Sequence, residues 1–479
     1  MDVTLFTRAV RAATDPRVFD SPDMPADPSA LDTLRRGTAD ADLAAPPVVL
    51  PDFHHKRRLE MPSSIAVATR ESIRPTLTSA SVNCGMALIA LNSDVPSRAA
   101  IDTFFRGVRE RYPHPTTNRR DLTRTEVFLA AARGAGFGQE RWGVHDDDVE
   151  RIEEHGQLDL EPYGGEARLR KELPSLAFQL ARLRFGTVGP SNHFVELQTV
   201  EEVYDHTTAD RLGVREGQLV LQYHAGGGVL TGEIGRLFGR RTDYPRHLRA
   251  AMAVEKPLAH LATARSLAQL RQRLALYFSE GCPPVPRHSD EGRRLMLANA
   301  AAMNYGFAFR MATYAALRAL AVSAFGGAPG RLVVDSPHNS VYEEEVEGDL
   351  AVVHRHNSCR AFAAERMRPG TVFATTGQAV LVPGTHRTSS YLAVAGERAA
   401  DSLHSACHGA GTVVQQYADR GLSASDPARH STLRYRYSGA DPESVEHYDD
   451  RGVDAAVDVL VTHELVRPVA RLRPMAVLH

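Results

Sequence analysis

The chain has 479 residues but only four cysteines, Cys84, Cys282, Cys359 and Cys407. Their positions show no paired spacing, which excludes a small secreted domain held together by disulfides. A few unpaired thiols are typical of proteins of the reducing cytoplasm, where cysteine serves as a metal ligand or a catalytic group. The sequence therefore predicts a cytoplasmic protein.

The chain also lacks an excess of either charge, since 56 Lys and Arg stand against 58 Asp and Glu. No global positive field indicates a nucleic-acid partner, so any surface that binds a polyanion must be local. The stretch from Arg106 to Arg124 is such a candidate, because it interleaves six arginines with Tyr112 and His114. It could hold an RNA backbone and stack a base, but we favour a solvated helix end and loop.

Long unbroken hydrophobic runs are missing as well. The opening residues Met1 to Leu5 include an early acid and no apolar segment, so we expect no signal peptide. The longest apolar segment, Leu295 to Phe325, is interrupted by asparagines and arginines. It therefore predicts a buried helix and no membrane span. We also find no internal repeat and no G-x-x-x-x-G-K phosphate loop.

The pattern along the chain predicts helices in the middle and strands in the last third. Residues 21–48, rich in Pro, Asp and Ala, predict an irregular lead-in over residues 1–48, followed by a catalytic domain over 49–479. Apolar residues recur at helical spacing in Glu166–Phe185 and Pro257–Phe278. Short β-branched runs predict strands at Leu219–Tyr223, Leu332–Val334, Leu350–Val353, Thr371–Phe373, Gln378–Val382, Tyr391–Val394 and Ala456–Val461. Regular βαβ alternation is missing, so the fold class is mixed α/β (α+β), with one large domain.

Four residues far apart in the chain carry the chemistry of a metal site: Cys84, His193, His224 and His338. Each lies in a short motif with glycine or asparagine beside it. A thiolate with several imidazoles suits Mn, Fe, Co or Zn better than Mg or Ca. One such histidine alone would usually be a structural residue, but four similar motifs together predict a shared site. Sequence spacing leaves open whether they converge.

A fifth residue, His408, is a candidate nucleophile. It lies in Ser405-Ala406-Cys407-His408-Gly409-Ala410-Gly411, where the glycines would let a phosphate approach the backbone. A neutral histidine held in line can form a covalent phosphoramidate with a nucleotide. Cys407 and His408 could equally be a metal pair or part of a packed turn.

Taken together, these motifs resemble the RtcB family of RNA-splicing ligases, from about Pro51 to the end of the chain. Ten blocks follow in family order: Pro51-Asp52-Phe53-His54, Asn83-Cys84-Gly85, Gly189 to Glu196, Tyr223-His224, Asn304-Tyr305, His338-Asn339, His354-Arg355, Thr388-Ser389-Ser390-Tyr391, Ser405 to Gly411, and Val469 to Pro474. The resemblance implies a single large domain with central sheets, flanking helices and a deep cleft for metal and nucleotide.

The resemblance also implies an activity. It is the Mn²⁺- and GTP-dependent joining of RNA ending in a 2′,3′-cyclic phosphate or 3′-phosphate to RNA starting with a 5′-hydroxyl, in tRNA splicing or RNA repair. His408 would become guanylylated, and Cys84, His193, His224 and His338 would bind metal. Further residues would line the nucleotide pocket: Asn192, Glu196, Asn339, Thr388, Ser389, Tyr448, Gly409 and Gly411. RNA is the expected partner, an activating protein is a further candidate partner, and no membrane is expected.

The chain departs from the family pattern at several positions, which marks it as a divergent paralogue. Ser81 stands where the family has an aspartate before the cysteine, so a carboxylate from Asp52 or Glu60 could take its place. The run His354-Arg355-His356-Asn357-Ser358 lacks a family lysine, which leaves the role of Arg355 open. His479 replaces a lysine that reads guanine, and an imidazole cannot reproduce its ammonium contact. Two alternatives stay open: a metal-dependent nucleotidyltransferase or phosphoesterase on another substrate, and a ligase-silent RNA-binding paralogue.

Overall fold

A computed structural model describes residues 15–55, 60–114, 121–189, 192–239, 246–279, 283–426 and 431–479. The strands are β1 Arg17–Val18, β2 Val48–Val49, β3 Ile65–Thr69, β4 Ser72–Ile73, β5 Gly85–Asn92, β6 Phe194–Val203, β7 Leu219–Ala225, β8 Val285–Pro286, β9 Ala328–Pro337, β10 Asn339–Val346, β11 Asp349–His356, β12 Ser358–Arg360, β13 Ala379–Val382, β14 Ser390–Ala395, β15 Ser405–Cys407, β16 Thr432–Tyr435, β17 Glu443–Val445 and β18 Val466–Leu478.

The α-helices are α1 Pro28–Thr38, α2 Arg98–Arg111, α3 Arg124–Arg133, α4 Ala135–Trp142, α5 Asp146–Val149, α6 Gly165–Glu172, α7 Ser175–Leu180, α8 His206–Leu212, α9 Gly228–Leu237, α10 Arg246–Thr263, α11 Leu267–Phe278, α12 Asp290–Phe325, α13 Phe373–Thr376, α14 Gly411–Asp419 and α15 Arg451–Thr462. Helices and strands do not alternate regularly, so the predicted mixed α/β class is confirmed.

The largest sheet has the order β13-β14-β18-β6-β7-β5-β9, with β16 and β17 joined through β18. Its strands are antiparallel except for the parallel pair β16–β18. Alternate residues of β5 enter different cores: Ala87 and Ile89 belong to the core that contains much of α12, and Leu88 belongs to the core that contains Val333 and Val469. The sheet is therefore buried on both faces, which fits the uninterrupted apolar runs of its central strands.

Four neighbouring strands of this sheet meet at the same end. Gly85 pairs with both Ala225 and Pro337, and Phe194 pairs with His224. Cys84 immediately precedes β5, His193 precedes β6, and His338 follows β9. The antiparallel register thus brings Cys84, His193, His224 and His338 together at one end of these four strands.

A second sheet, in the order β1-β2-β3-β11-β10, lies beside the first. The short antiparallel pair β12–β15 connects this part of the fold to the site. Ser358 pairs with Cys407 there, and His408 is the residue that follows β15.

The segment Leu295–Phe325 lies within α12, a helix of 36 residues whose side chains are mostly buried. This confirms the predicted buried helix. The polar residues that interrupt it have partners: Arg310 forms an ion pair with Asp335, and the Asn304 side chain accepts from Leu158 N at 2.7 Å. None of the helices in the described part of the chain is long and apolar enough to span a membrane.

Several predicted elements differ from the structure. The expected helix Glu166–Phe185 is two helices, α6 and α7, because Pro174 cannot continue the backbone hydrogen bonds. The expected helix Pro257–Phe278 is likewise divided into α10 and α11. The predicted strand Ala456–Val461 is wrong, since this segment belongs to α15 and buries residues at helical spacing. The predicted strand Thr371–Phe373 is also wrong, because α13 begins at Phe373.

The segment expected to be an irregular lead-in contains regular structure. Pro28–Thr38 is the helix α1, and the Asp27 side chain accepts from Ser29 N at its start. β1 pairs with β2 across this segment. The prediction of irregular chain is therefore wrong for residues 28–38, while the division between residues 48 and 49 stays a prediction.

Candidate functional site

Cys84, His224 and His338 form a buried cluster whose ligand atoms all lie within 4.8 Å of one another. The Cys84 Sγ lies 3.3 Å from His224 Nε2 and 3.5 Å from His193 Nε2. The His193 and His224 rings are 4.8 Å apart between centroids. The structure thus brings the four predicted ligands together, and their donor set fits a borderline-soft divalent ion.

The turn that presents Cys84 is held by a buried arginine. Asn83 has a left-handed φ of 59°, and its backbone N–H donates to Asn339 O at 2.8 Å. Arg310 donates to both Asn83 O and Asn83 Oδ1 while it pairs with Asp335. Gly85 must be glycine, because a Cβ there would lie 2.7 Å from Ser336 O. The thiol position is therefore fixed by contacts from α12, β9 and β10.

The orientation of His224 is set by its second ring nitrogen. Nδ1 donates to Asn192 O at 2.8 Å, which leaves Nε2 as the lone-pair nitrogen that faces Cys84. His193 is partly buried, and this burial lowers its pKa. A lower pKa keeps the ring neutral at pH 7, which is the form that binds a metal.

The candidate nucleophile lies beside this cluster. His408 follows β15, and its ring centroid is 4.6 Å from that of His338. Gly409 is packed against Pro383, whereas a Cβ at Gly411 would meet no atom within 4 Å. A phosphate group can therefore approach the start of α14 more closely at Gly411 than at Gly409.

A cavity of about 400 Å³ opens in front of these residues. The predicted site residues that line it are Asn192, His193, Glu196, His224, His408, Gly409 and Gly411. The other wall residues are Asp52, His54, Met86, Phe194, Pro383, Gly384, Thr385, His386, Ser390, Thr412, Val477 and His479. Cys84 and His338 lie behind this wall, in contact with His224.

Glu196 is a buried acid in the cavity wall. Burial raises its pKa to about 8, although Gln198 Nε2 donates to its Oε1 at 2.5 Å. At pH 7 the carboxyl is therefore mostly protonated, so it has a hydrogen to donate to a bound group.

Four predicted pocket residues lie outside the cavity wall. Asn339 Oδ1 accepts from Asn357 N at 2.9 Å, so its side chain links two chain segments. Thr388 Oγ1 accepts from Thr385 N at 2.8 Å, which shapes a turn that does reach the cavity. Ser389 donates from both N and Oγ to the Asp450 carboxylate. The Tyr448 ring lies under Arg387, whose Cζ is 3.7 Å from the ring centroid. For these residues a nucleotide contact stays a prediction.

The two open cases, Ser81 and Arg355, also lie outside the wall. Ser81 O accepts from Cys84 N at 3.3 Å, so Ser81 begins the turn that carries the thiol. Arg355 is fully buried and forms a bidentate ion pair with the Glu344 carboxylate, with N–O distances of 2.7 and 2.8 Å. It also donates to Ser405 Oγ at 2.8 Å, which ties β11 to the strand that leads to His408.

Of the two carboxylates considered as replacements for the family aspartate, Asp52 lines the cavity and Glu60 does not. Asp52 Oδ1 accepts from Thr412 N at 2.8 Å and from Val413 N at 3.1 Å. Asp52 therefore caps the first turn of α14, just after the His408 loop.

The sequence did not indicate that two histidines of the cavity wall, His386 and His479, lie next to each other. The rings of His386 and His479 are 5.0 Å apart between centroids. Burial, the nearby His479 and the charge of Arg434 lower the pKa of His386 to about 4. In the sequence, His479 was singled out because it stands where the family resemblance implies a lysine, whereas no motif pointed to His386.

Three glycines, Gly226 to Gly228, follow soon after His224, and a glycine run can present backbone N–H groups to an anion. In the structure Gly227 and Gly228 are packing positions, because a Cβ would lie 2.3 Å from Val82 O and 2.6 Å from Tyr305 respectively. The arginine-rich stretch is the end of α2 as far as Arg111. Arg119 and Arg120 lie outside the described residues, so binding of RNA there stays a prediction.

Comparison with known proteins gives a family match over nearly the whole chain: the family described as "tRNA-splicing ligase RtcB" matches residues 39–479. A tRNA-splicing ligase RtcB of Thermococcus kodakarensis is 28% identical over 461 residues, covering 90% of this chain and 86% of that protein. An RNA-splicing ligase RtcB of Mycobacterium tuberculosis is 30% identical over 353 residues, covering 71% of this chain and 74% of that protein.

Some relatives are much longer than this chain. The tRNA-splicing ligase RtcB of Pyrococcus furiosus is 29% identical over 426 residues, which cover 82% of this chain but 39% of that protein. For the relative from Pyrococcus abyssi, which is also 29% identical, the match covers 42% of its length.

Proposed function

Because this chain belongs to the RtcB family, we propose that it is a metal-dependent RNA ligase acting in tRNA splicing or RNA repair. The observation that carries the proposal is the convergence of Cys84, His193, His224 and His338 beside His408, in or directly behind the wall of one cavity. The relatives named as RNA-splicing and tRNA-splicing ligases support the same activity.

The metal we propose is Mn²⁺, held by the Cys84 thiolate and the imidazoles of His193, His224 and His338. Mn²⁺ would supply positive charge that offsets the charge of phosphate oxygens. The hydrogen bond from His224 Nδ1 to Asn192 O keeps Nε2 available to that ion. The low pKa of His193 acts in the same direction, since a protonated ring cannot bind a metal.

The nucleotide we propose is GTP. A ring nitrogen of His408 would attack the α-phosphorus, forming an N–P bond while the P–O bond to pyrophosphate breaks. An RNA 3′-phosphate oxygen would then take the GMP, and the N–P bond to His408 would break. Opening of a 2′,3′-cyclic phosphate by hydrolysis would precede that step. Finally the 5′-hydroxyl of the second RNA would attack the activated 3′-phosphate, and GMP would leave.

The protein groups around the cavity support these steps. The protonated Glu196 carboxyl and the open backbone at Gly411 face the cavity, so they can hydrogen-bond a nucleotide there. RNA is the substrate under this proposal. An activating protein partner and a cytoplasmic location remain predictions.

Incubation with α-labelled GTP and Mn²⁺ should give a covalent GMP adduct, and His408→Ala should abolish it. The matched control is His288→Ala, because His288 is an exposed histidine paired with Glu71 on the surface. Its adduct level should equal that of the unmodified protein. A protein that forms no adduct with any nucleoside triphosphate would contradict the proposal.

A second candidate, a metal-dependent nucleotidyltransferase or phosphoesterase with another substrate, is favoured by Ser81. A serine hydroxyl brings no charge to the turn that carries Cys84, whereas the family resemblance implies an aspartate at this position. The cavity wall also carries His479, where the family resemblance implies a lysine, with His386 beside it. Under this alternative His408 still accepts a nucleotide, but RNA joining is weak.

A further inference from the structure

His54 lies beside the start of α14, in the wall of the cavity that also contains His408. Its Nδ1 is 3.2 Å from Thr412 Oγ1, and the Asp52 carboxylate accepts from Thr412 N at 2.8 Å. Thr412 is four residues after His408, and Gly411 between them leaves room for a phosphate group. His54 and His408 therefore flank the segment at which a phosphate of a bound nucleotide or RNA can approach.

The hydrogen bonds of the His54 ring decide which of its nitrogens carries the proton. Nδ1 is 2.7 Å from the backbone carbonyl Asp52 O, which can only accept, so Nδ1 donates. In the neutral ring the other nitrogen, Nε2, then carries a lone pair. None of the described residues hydrogen-bonds Nε2, and the side chain is 20% exposed. His54 therefore presents a lone-pair nitrogen that is available to a bound group.

Besides the nucleophile, the other histidines in the described part of the cavity wall are less suited to accept a proton from a substrate. His193 and His224 direct Nε2 to the Cys84 thiol and belong to the proposed metal site. Burial lowers the pKa of His386 to about 4, so its ring is a weak base. Both ring nitrogens of His479 are buried, so a substrate does not reach them.

The two acidic residues in the described part of the wall are also less suited to this role. The Glu196 carboxyl is mostly protonated at pH 7, because burial raises its pKa to about 8. The Oδ1 atom of Asp52 accepts from two backbone N–H groups at the start of α14. Of the described wall residues, His54 is therefore the best placed to accept a proton beside His408.

We propose that His54 is a further catalytic residue, the general base of the joining step, an inference that rests on the proposed RNA ligase function. Nε2 takes the proton of the RNA 5′-hydroxyl while the 5′-oxygen forms a bond to the phosphorus of the activated 3′-phosphate. The P–O bond to GMP breaks, and GMP leaves with the electron pair. The protonated ring then gives the proton to water. A neutral hydroxyl is a weak nucleophile, and a base in position speeds such a step by about 100-fold or more.

Joining of RNA whose 3′-phosphate already carries GMP isolates this step, because it needs no attack by His408. His54→Asn retains an N–H group that can donate to Asp52 O, but it has no lone-pair nitrogen. We expect this variant to join the activated RNA to 5′-hydroxyl RNA about 100-fold more slowly in a single turnover. Its GMP adduct with α-labelled GTP should form at the rate of the unmodified protein, since the 5′-hydroxyl takes no part in that step.

His55→Asn is the matched control, because His55 is exposed outside the cavity wall, with its Nε2 2.9 Å from Thr33 Oγ1. It should change neither rate. Unchanged joining in His54→Asn would overturn the inference. So would an equal loss of adduct formation and joining in both His54→Asn and His54→Gln, which would show a structural role. An unmodified protein that forms no adduct and joins no activated RNA would contradict the proposed function itself, and this inference with it.

Discussion

Ser81 stands where the resemblance to the RtcB family implies an aspartate. Its carbonyl accepts from Cys84 N, so an added carboxylate here would lie on the same turn as the thiol. A carboxylate brings a negative charge and a hard oxygen donor, both of which strengthen binding of Mn²⁺.

We therefore expect Ser81→Asp to raise Mn²⁺ affinity by about 10-fold or more, on the scale of a single added ligand. Isothermal titration with Mn²⁺ and a joining assay on RNA with 3′-phosphate and 5′-hydroxyl ends would measure the two effects. Ser79→Asp adds the same charge two residues away and should change neither. A large gain in RNA joining would favour the second candidate function, and no gain in Mn²⁺ affinity would mean that a carboxylate already present supplies the missing ligand.

Single residues were predictable from sequence where their chemistry is carried by a short motif. Cys84, His193, His224, His338 and His408 are of this kind, and the structure brings them together. Tyr448 and Ser389 were expected in the nucleotide pocket, but their contacts to Arg387 and Asp450 come from distant segments that no local pattern reveals.

At the scale of elements, the start of α14 depends on a carboxylate from a distant part of the chain. The first backbone N–H groups of a helix have no partner within the helix, and Asp52 accepts from two of them. This contact joins the segment after β2 to the loop that carries His408.

Asp52→Ala should therefore lower the free energy of unfolding by about 1–2 kcal/mol, the usual cost of losing a helix cap. Asp52→Asn keeps an oxygen that accepts from Thr412 N, so most of that stability should remain. Urea denaturation measures both changes, and mass spectrometry of bound manganese shows whether metal is lost. Loss of metal in Asp52→Asn with normal stability would assign Asp52 as a ligand and contradict a purely capping role.

A helix was predicted correctly where an apolar segment was long and contained no proline. α12 met both conditions, whereas the β-branched run in Ala456–Val461 resembled a strand although its buried residues recur at helical spacing. The register of neighbouring strands could not be read from sequence, because pairing depends on segments more than 100 residues apart.

At the scale of the whole molecule, burial of histidines links stability to pH. Burial lowers the pKa of His354 from its usual 6.5 to about 4. Its Nε2 accepts from Arg74 N at 3.0 Å, and its Nδ1 faces Val67 O at 3.3 Å. A protonated ring would have no acceptor for Arg74 N. Between pH 6.5 and 4 the unfolded chain therefore binds a proton that the folded chain does not.

The free energy of unfolding should consequently fall as the pH is lowered through this window, with His354 contributing on the order of 3 kcal/mol. Burial lowers the pKa of His404 to about 4 as well, so its effect has the same sign. Urea denaturation at pH 7, 6 and 5 tests this. His354→Gln keeps an acceptor but does not titrate, so its stability should depend less on pH. Equal pH dependence in both proteins would contradict the assignment.

The sequence by itself determined the kind of chemistry, because thiolate, imidazole and glycine motifs are local and their residue types limit what they can bind. It also determined the family and the mixed α/β class. Only the tertiary structure decided that four strand ends meet at one edge, that Asp52 caps a helix, and that His54 lies in the same cavity wall as His408. Those facts depend on which distant segments pack together, and packing is settled by the whole chain at once.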